Sequence, residues 1–331
     1  MESRQISTSD DFRYQVGNAR NSFLKNKMYQ KNNKSAQRNL PEFSGRTEFL
    51  KVWRTARTLN INFMVHMKVN IACGDAYVDG WANYDYAPHS EKVQKANLLG
   101  RLPLESDGAD VVYSSHFLEH IPLSSVEKFL QECFRILKPG GVFRLVLPDL
   151  EEICRSYLHY RDAGEHGKAN FLQIGLIDQM VRSTPGGELG RYYRKIGLDP
   201  QLYGNEITFV LERTGHNILS DSTHARRSLK GLFSKVLWRM ERRYIQAVMM
   251  LLPEAFRQQN CSMASVGEKH AWMHDFYGLK RFLEHAGFSD VHRVSAATSC
   301  IQDFPFVPLD INLDGSPRKG MESMYIEAVK P

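Results

Sequence analysis

The stretch NIACGDAYVDGWANYDY, residues 70–86, decides how this chain is read. It begins inside MKVNIA (Met67–Ala72), which reads as a buried strand, turns at Ala72–Gly74, and ends in ANYDY (Ala82–Tyr86), a second strand. Nine residues, Cys73–Trp81, connect the two. A helical crossover between parallel strands takes about a dozen or more residues, so the spacing predicts a truncated first helix. An amphipathic stretch at residues 48–63 is then available to cover the sheet face left open. Gly74 would let backbone approach a ligand closely, and Asp85 ends the second strand, where a carboxylate can accept two hydrogen bonds from a ribose diol. Each residue alone fits a simple turn equally well. Together, one strand apart, they say more than either does.

Outward from this segment, strands and helices alternate. DVVYSS (Asp110–Ser115) and GVFRLVLPD (Gly141–Asp149) read as further buried strands, and a weakly marked one falls near Leu102–Leu104. Between them Val126, Phe129, Leu130, Cys133, Phe134, Ile136 and Leu137 recur at helical spacing, with Pro139-Gly140-Gly141 as the stop. Alternation of this kind implies an α/β fold with a parallel sheet covered on both faces. From about 161 to 265 the pattern becomes helical without strands, apart from a polar loop, TPGGELGRYYRKIGLDP (184–200), and predicts an inserted helical lid. The core pattern resumes with a helix over Tyr277–Phe288 and strands in DVHRVSAAT (290–298) and SMYIEAVKP (323–331). The expected organisation is a mobile basic leader (1–45), a segment docking on the core (46–66), the core itself (67–160 and 266–331) and the lid (161–265).

NIACGDAYVDGWANYDY, DGADVVYSSHFLEHIP (107–122) and FLQECFRILKPGGVFRLVLPDLE (129–151) resemble, in this order, the class I S-adenosylmethionine-dependent methyltransferases of the methyltransferase-11 type. The likeness is greatest to a subgroup found in surface-glycan gene clusters. It implies a doubly wound seven-stranded sheet whose last strand is antiparallel, and S-adenosyl-L-methionine as cofactor. Carried over by motif, Asn70, Ala72, Cys73 and Gly74 would line the cofactor's amino-acid and ribose portion, and Asp85 would hold the ribose hydroxyls. Asn97 and Leu98 would flank the adenine, and Ser114, Ser115 and His116 would lie beneath the methionine portion. This sequence keeps a single glycine, Gly74, where the family carries two or three.

Methyl transfer is an in-line displacement at a sulfonium carbon, in which positioning supplies much of the rate and no metal is required. A base would help an oxygen acceptor. His116 and His120, with Glu119 between them, and Asp149 at the end of its strand are candidates, imidazole because it titrates near neutral pH. His120 before Ile121-Pro122 fits a cap of the strand-to-helix turn as well. His270-Ala271-Trp272-Met273-His274-Asp275 resembles a stretch carried by similar methyltransferases, which makes His270 and Asp275 acceptor-site candidates. Asp275 as a helix N-cap, with Trp272 and Phe276 in the core, is the alternative.

The charge distribution narrows the partners. The formal net charge is +6, yet residues 1–57 hold 12 Lys+Arg against 5 Asp+Glu, and the rest of the chain is close to neutral. A second basic concentration, Asp221–Arg243, has seven basic and two acidic residues around an apolar stripe of Leu229, Leu232, Phe233, Val236, Leu237, Met240, Tyr244 and Val248. The segment 226–243 could meet a membrane surface or a phosphorylated acceptor, or simply pack its stripe on the domain. Five scattered cysteines without a C-x-x-C pair point to a reducing compartment and away from a structural zinc site. With no apolar leader, the expected location is cytoplasmic. The leading expectation is O-methylation of a sugar, glycan intermediate or other small hydroxylated acceptor. The alternatives are RNA methylation, against which the near-neutral body argues, and a non-catalytic cofactor-binding scaffold.

Overall fold

The computed structural model describes residues 66–219, 229–264 and 267–331. The leader and the docking segment expected at 1–45 and 46–66 lie outside these, His66 excepted, as does the start of the basic segment.

A seven-stranded sheet forms the core. Its strands are β1 (Lys68–Ile71), β2 (Ala82–Asp85), β3 (Gln94–Lys95), β4 (Ala109–Ser115), β5 (Leu137–Pro148), β6 (Ser289–Val294) and β7 (Ser323–Val329), in the spatial order β3-β2-β1-β4-β5-β7-β6. β1 to β5 run parallel, and β7 is antiparallel to both neighbours. The order reverses between β1 and β4, and in such sheets ligands collect at that point beyond the strands' carboxyl ends. The connection of β1 to β2 contains no helix, as its length predicts.

Side-chain alternation separates two cores. One face of the sheet sends Val69, Ile71, Val112, Phe143, Leu145, Leu147 and Ile326 against helix α1 (Leu123–Ile136) through Val126, Phe129, Leu130 and Cys133. Leu279 and Leu283, from a second helix described below, join the same cluster. The other face sends Val111, Tyr113, Val146 and Tyr325 against Ile301, Phe304 and Leu309 of the loop between β6 and β7. Arg144 lies within this second layer, fully buried. It donates to Asp310 (Nε–Oδ2 2.8 Å) and Glu327 (Nη1–Oε1 2.6 Å), and its guanidinium carbon lies 4.7 Å from the Phe304 ring centroid.

Two expected boundaries move. α1 ends at Ile136 and β5 starts at Leu137, because Lys138 precedes Pro139 and a residue in that position is driven to extended backbone. The third strand is Gln94–Lys95, paired with Tyr84 and Asp85; Leu102 is instead a buried anchor outside any strand.

Helices replace strands directly after β5. They are α2 (Leu150–Asp162), α3 (His166–Val181), α4 (Gly187–Leu198), α5 (Gly204–Thr214), α6 (Leu229–Met250) and α7 (Glu254–Asn260). α4 occupies the stretch expected as a polar loop. Its first amides are held from outside the helix, by the Asp178 carboxylate, which accepts from Glu188 N (2.7 Å) and Leu189 N (3.3 Å). Gly187, at φ +54, permits this, since a Cβ there would collide with that carboxylate. Phe171, Leu172, Leu189, Ile196, Phe209 and Val210 form the insertion's own core. Its tie to the sheet domain runs through buried Arg213, which donates to Glu152 (2.9 Å) and Glu322 (3.1 Å), and through Met321 N and Glu322 N bonding to the carbonyls of Glu212 and Arg213. The apolar stripe of α6 does not pack on the domain where its side chains are described: Met240, Tyr244 and Val248 are exposed. No described helix is long and apolar enough to cross a membrane. The core resumes with α8 (Phe276–His285) and β6, then a short turn at Phe306–Leu309 leads toward β7.

Candidate active site

Beyond the carboxyl ends of β1 and β4 lies a cavity of about 490 Å³ lined by Asn70, Ala72–Ala76, Tyr113, Ser115, His116, Pro308, Arg318 and Lys319. The turn after β1 builds one wall. Ala72 and Gly74 both take positive φ (57° and 50°), and space is open where a Cβ on Gly74 would stand. Gly74 N donates to Asp85 Oδ2 (2.9 Å) and Ala87 N to Asp85 Oδ1 (2.9 Å), so the glycine and the carboxylate that the sequence set one strand apart do meet. Asn70 donates to Ala76 O (2.9 Å), while its buried Oδ1 has no partner among the described residues. Burial, then Asp85, pushes the Cys73 thiol up to about 12, which keeps it protonated.

A second cavity, about 280 Å³, opens between core and insertion. Pro148, Phe171, Leu172, Leu189 and Tyr193 give it apolar walls, and Gln179, His216, His270 and Glu322 bring polar groups. His116 and Lys319 line both cavities. His116, at φ +51, bonds Ser323 Oγ through Nε2 (2.9 Å) and faces Glu119 through Nδ1 (3.2 Å). Burial lowers its pKa against the pull of Glu119. Lys319 is brought down to about 8 by burial and by Arg318 beside it. Burial works to raise Glu119, but His116, His120 and His270 outweigh it and hold that carboxyl at about 2.

The remaining candidates divide. His270 is buried, lines the second cavity and is pushed down to about 4 by burial. His120 lies next to it, ring centroids 5.0 Å apart. Asp149 lines neither cavity. It caps α2 by accepting from Glu151 N (3.1 Å) and pairs with Arg293 on β6, so its carboxylate is already engaged. Asp275 is the N-cap of α8, accepting from Gly278 N (2.8 Å), which leaves it no place in the cavity. Trp272 is 44% exposed rather than in the core. Leu98 is core and Asn97 is exposed; neither lines the first cavity. Ser114 is buried and stays behind the wall that Ser115 forms. Arg318 and Lys319 carried no motif in the sequence. They enter because the segment before β7 is clamped to the end of α5.

Residues 70–145 match the family model described as a methyltransferase domain. Over these residues the chain is similar to the S-adenosylmethionine-dependent methyltransferases, and its sheet order is that of the class I fold. Over 51 residues it is 43% identical to the probable S-adenosylmethionine-dependent methyltransferase of Mycolicibacterium smegmatis, which is 15% of this chain and 19% of that protein. The chain thus spans about a fifth of the curated relative it matches. Among solved structures, a SAM-dependent methyltransferase of Thermotoga maritima is 13% identical, covering 86% of this chain and 97% of that one at a TM-score of 0.33. One from Archaeoglobus fulgidus is 13% identical over 86% and 95%, TM-score 0.32. Scores this low fall short of a shared overall shape, and the fold of the methyltransferase domain stands on its own sheet order. The first cavity fits S-adenosylmethionine: an unpartnered buried amide oxygen, an open glycine and a carboxylate at the end of β2 are the groups an amino-acid and ribose portion can use.

Proposed function

We propose that this protein transfers a methyl group from S-adenosylmethionine to an oxygen of a small hydroxylated acceptor, a sugar or glycan intermediate, held between core and insertion. The observation that carries the proposal is the shared wall: His116 and Lys319 line both the cofactor-side cavity and the one walled by the insertion. The cofactor supplies an electrophilic methyl on a sulfonium. Asn70, Gly74 and Asp85 orient it, and the apolar side chains Phe171, Leu172 and Leu189 keep water from the acceptor. We assign removal of the acceptor's proton to Lys319, whose pKa is lowered to about 8, and to His116, whose pKa burial also lowers. The size of the second cavity, about 280 Å³, favours a small acceptor over RNA.

The test is formation of S-adenosylhomocysteine with a panel of sugars, nucleotide sugars and phenols; turnover with none of them would favour a scaffold. Calorimetry with S-adenosylhomocysteine should show Asp85→Ala weakening binding about tenfold, about 1.4 kcal/mol. Unchanged affinity would sink the ribose role.

A further inference from the structure

The proposed methyl transfer leaves the surroundings of Glu119 unexplained. This residue is 1% exposed, yet among the described residues no amide, hydroxyl, lysine or arginine donates to its carboxylate. Histidines surround it. His116 Nδ1 is 3.2 Å and His120 Nε2 3.8 Å from Oε1, and one donor atom each from Glu119, His120 and His270 all lie within 4.8 Å of one another. A buried carboxylate that faces only imidazoles is costly to keep, and these imidazoles are a set of nitrogen ligands.

The far side of each ring is already committed. His120 Nδ1 is 2.9 Å from Lys269 O, and His270 Nδ1 is 3.3 Å from Met273 Sδ. A carbonyl only accepts, so His120 carries its proton on Nδ1 and offers its Nε2 lone pair toward Glu119. The thioether is a weak acceptor, which places His270 in the same tautomer. Metal-binding histidines characteristically donate their other nitrogen in this way. The two chain segments are also locked together: the turn at Leu118–His120 receives Ala271 N (2.6 Å) and Trp272 N (3.2 Å) on the carbonyl of Glu119. Two imidazole nitrogens and one carboxylate oxygen are a donor set suited to zinc and other first-row divalent ions.

We propose that Glu119, His120 and His270 bind a divalent transition-metal ion, with zinc the best match to the donors. Tetrahedral bonds of about 2.0–2.1 Å set the ligand atoms roughly 3.4 Å apart, so modest side-chain rotations close the site. His270 also lines the acceptor cavity, which puts the ion at that cavity's wall.

Metal content decides the matter without any acceptor, so it fails or stands separately from the methyltransferase proposal. Full-length protein is stripped with chelator and dialysed against zinc or cobalt. The expected result is one ion per chain by elemental analysis, and a cobalt form with the visible absorption of a low-coordinate site. Loss of a ligand should exceed the 10–100-fold cost of losing an outer-shell partner, so Glu119→Gln and His120→Gln should each weaken zinc binding at least about 100-fold. Substoichiometric metal with a featureless cobalt spectrum would overturn the proposal, even if both variants fail to fold. So would unchanged affinity in both variants, which would assign the ion to surface histidines.

Discussion

Glu327 and Glu119 are both buried carboxylates, and they are treated oppositely. Glu327, between the sheet and the loop before the last strand, accepts from Arg144 (2.6 Å), Ser299 Oγ (2.5 Å) and Cys300 N (2.8 Å). Asp310 and the Tyr113 hydroxyl (2.6 Å) complete a network in which charge and hydrogen bonds are matched. Glu119, at the mouth, faces only imidazoles among the described residues, with no arginine, hydroxyl or amide donating to its side chain. Matched burial fixes one conformation, here the loop that brings Pro308 to the cofactor-side cavity. Unmatched burial keeps a group available for a ligand.

The largest effect is expected at Arg144. Arg144→Leu leaves two buried acids without their cation and should cost about 3–5 kcal/mol, read by urea unfolding; a loss below about 1 kcal/mol would mean the network is not matched as described. Next, Lys319→Met should lower the rate of methyl transfer by about 100-fold or more while leaving the unfolding midpoint nearly unchanged. With the amine acting as base, the wild-type rate climbs with pH through about 8, and that limb should vanish in the variant.

A smaller effect is expected at His274, which is buried and pushed down to about 4 by that burial. Its ordinary pKa is 6.5, so the unfolded chain takes up the proton first. Stability is therefore full above pH 6.5 and falls as the pH drops toward 4. Denaturant melts at pH 7 and pH 5 should show this fall, and His274→Gln should blunt it. The smallest effect belongs to Asp149→Ala, which removes a helix cap worth about 1 kcal/mol. Cofactor affinity should be unaffected, because Asp149 lines neither cavity; a large loss of affinity would restore it to the site.

How much was legible followed the range of the interactions. The turn at Gly74, Asp85 at the end of β2, and the wall through Ser115 and His116 were readable because strand ends place consecutive residues at the mouth. Asp149 and Asp275 stand apart from both cavities for a local reason: an acid before a helix satisfies amides, and the motif looks the same whether or not it also faces a cleft. The helix at 187–198 was hidden because its cap is Asp178, one element earlier in the chain. Lys319 was invisible because nothing in SPRKGMES (316–323) says that it will lie against the end of α5.

The sequence by itself determined the sheet, the short first crossover and the first cavity's main groups, since these depend on apolar periodicity and on residues next to strand ends. Only the tertiary structure decided which acids are spent on caps, that Lys319 reaches both cavities, and that His270 stands beside Glu119 and His120. Such groups are far apart in sequence, and burial brings them together when the insertion and the last strands pack against the sheet.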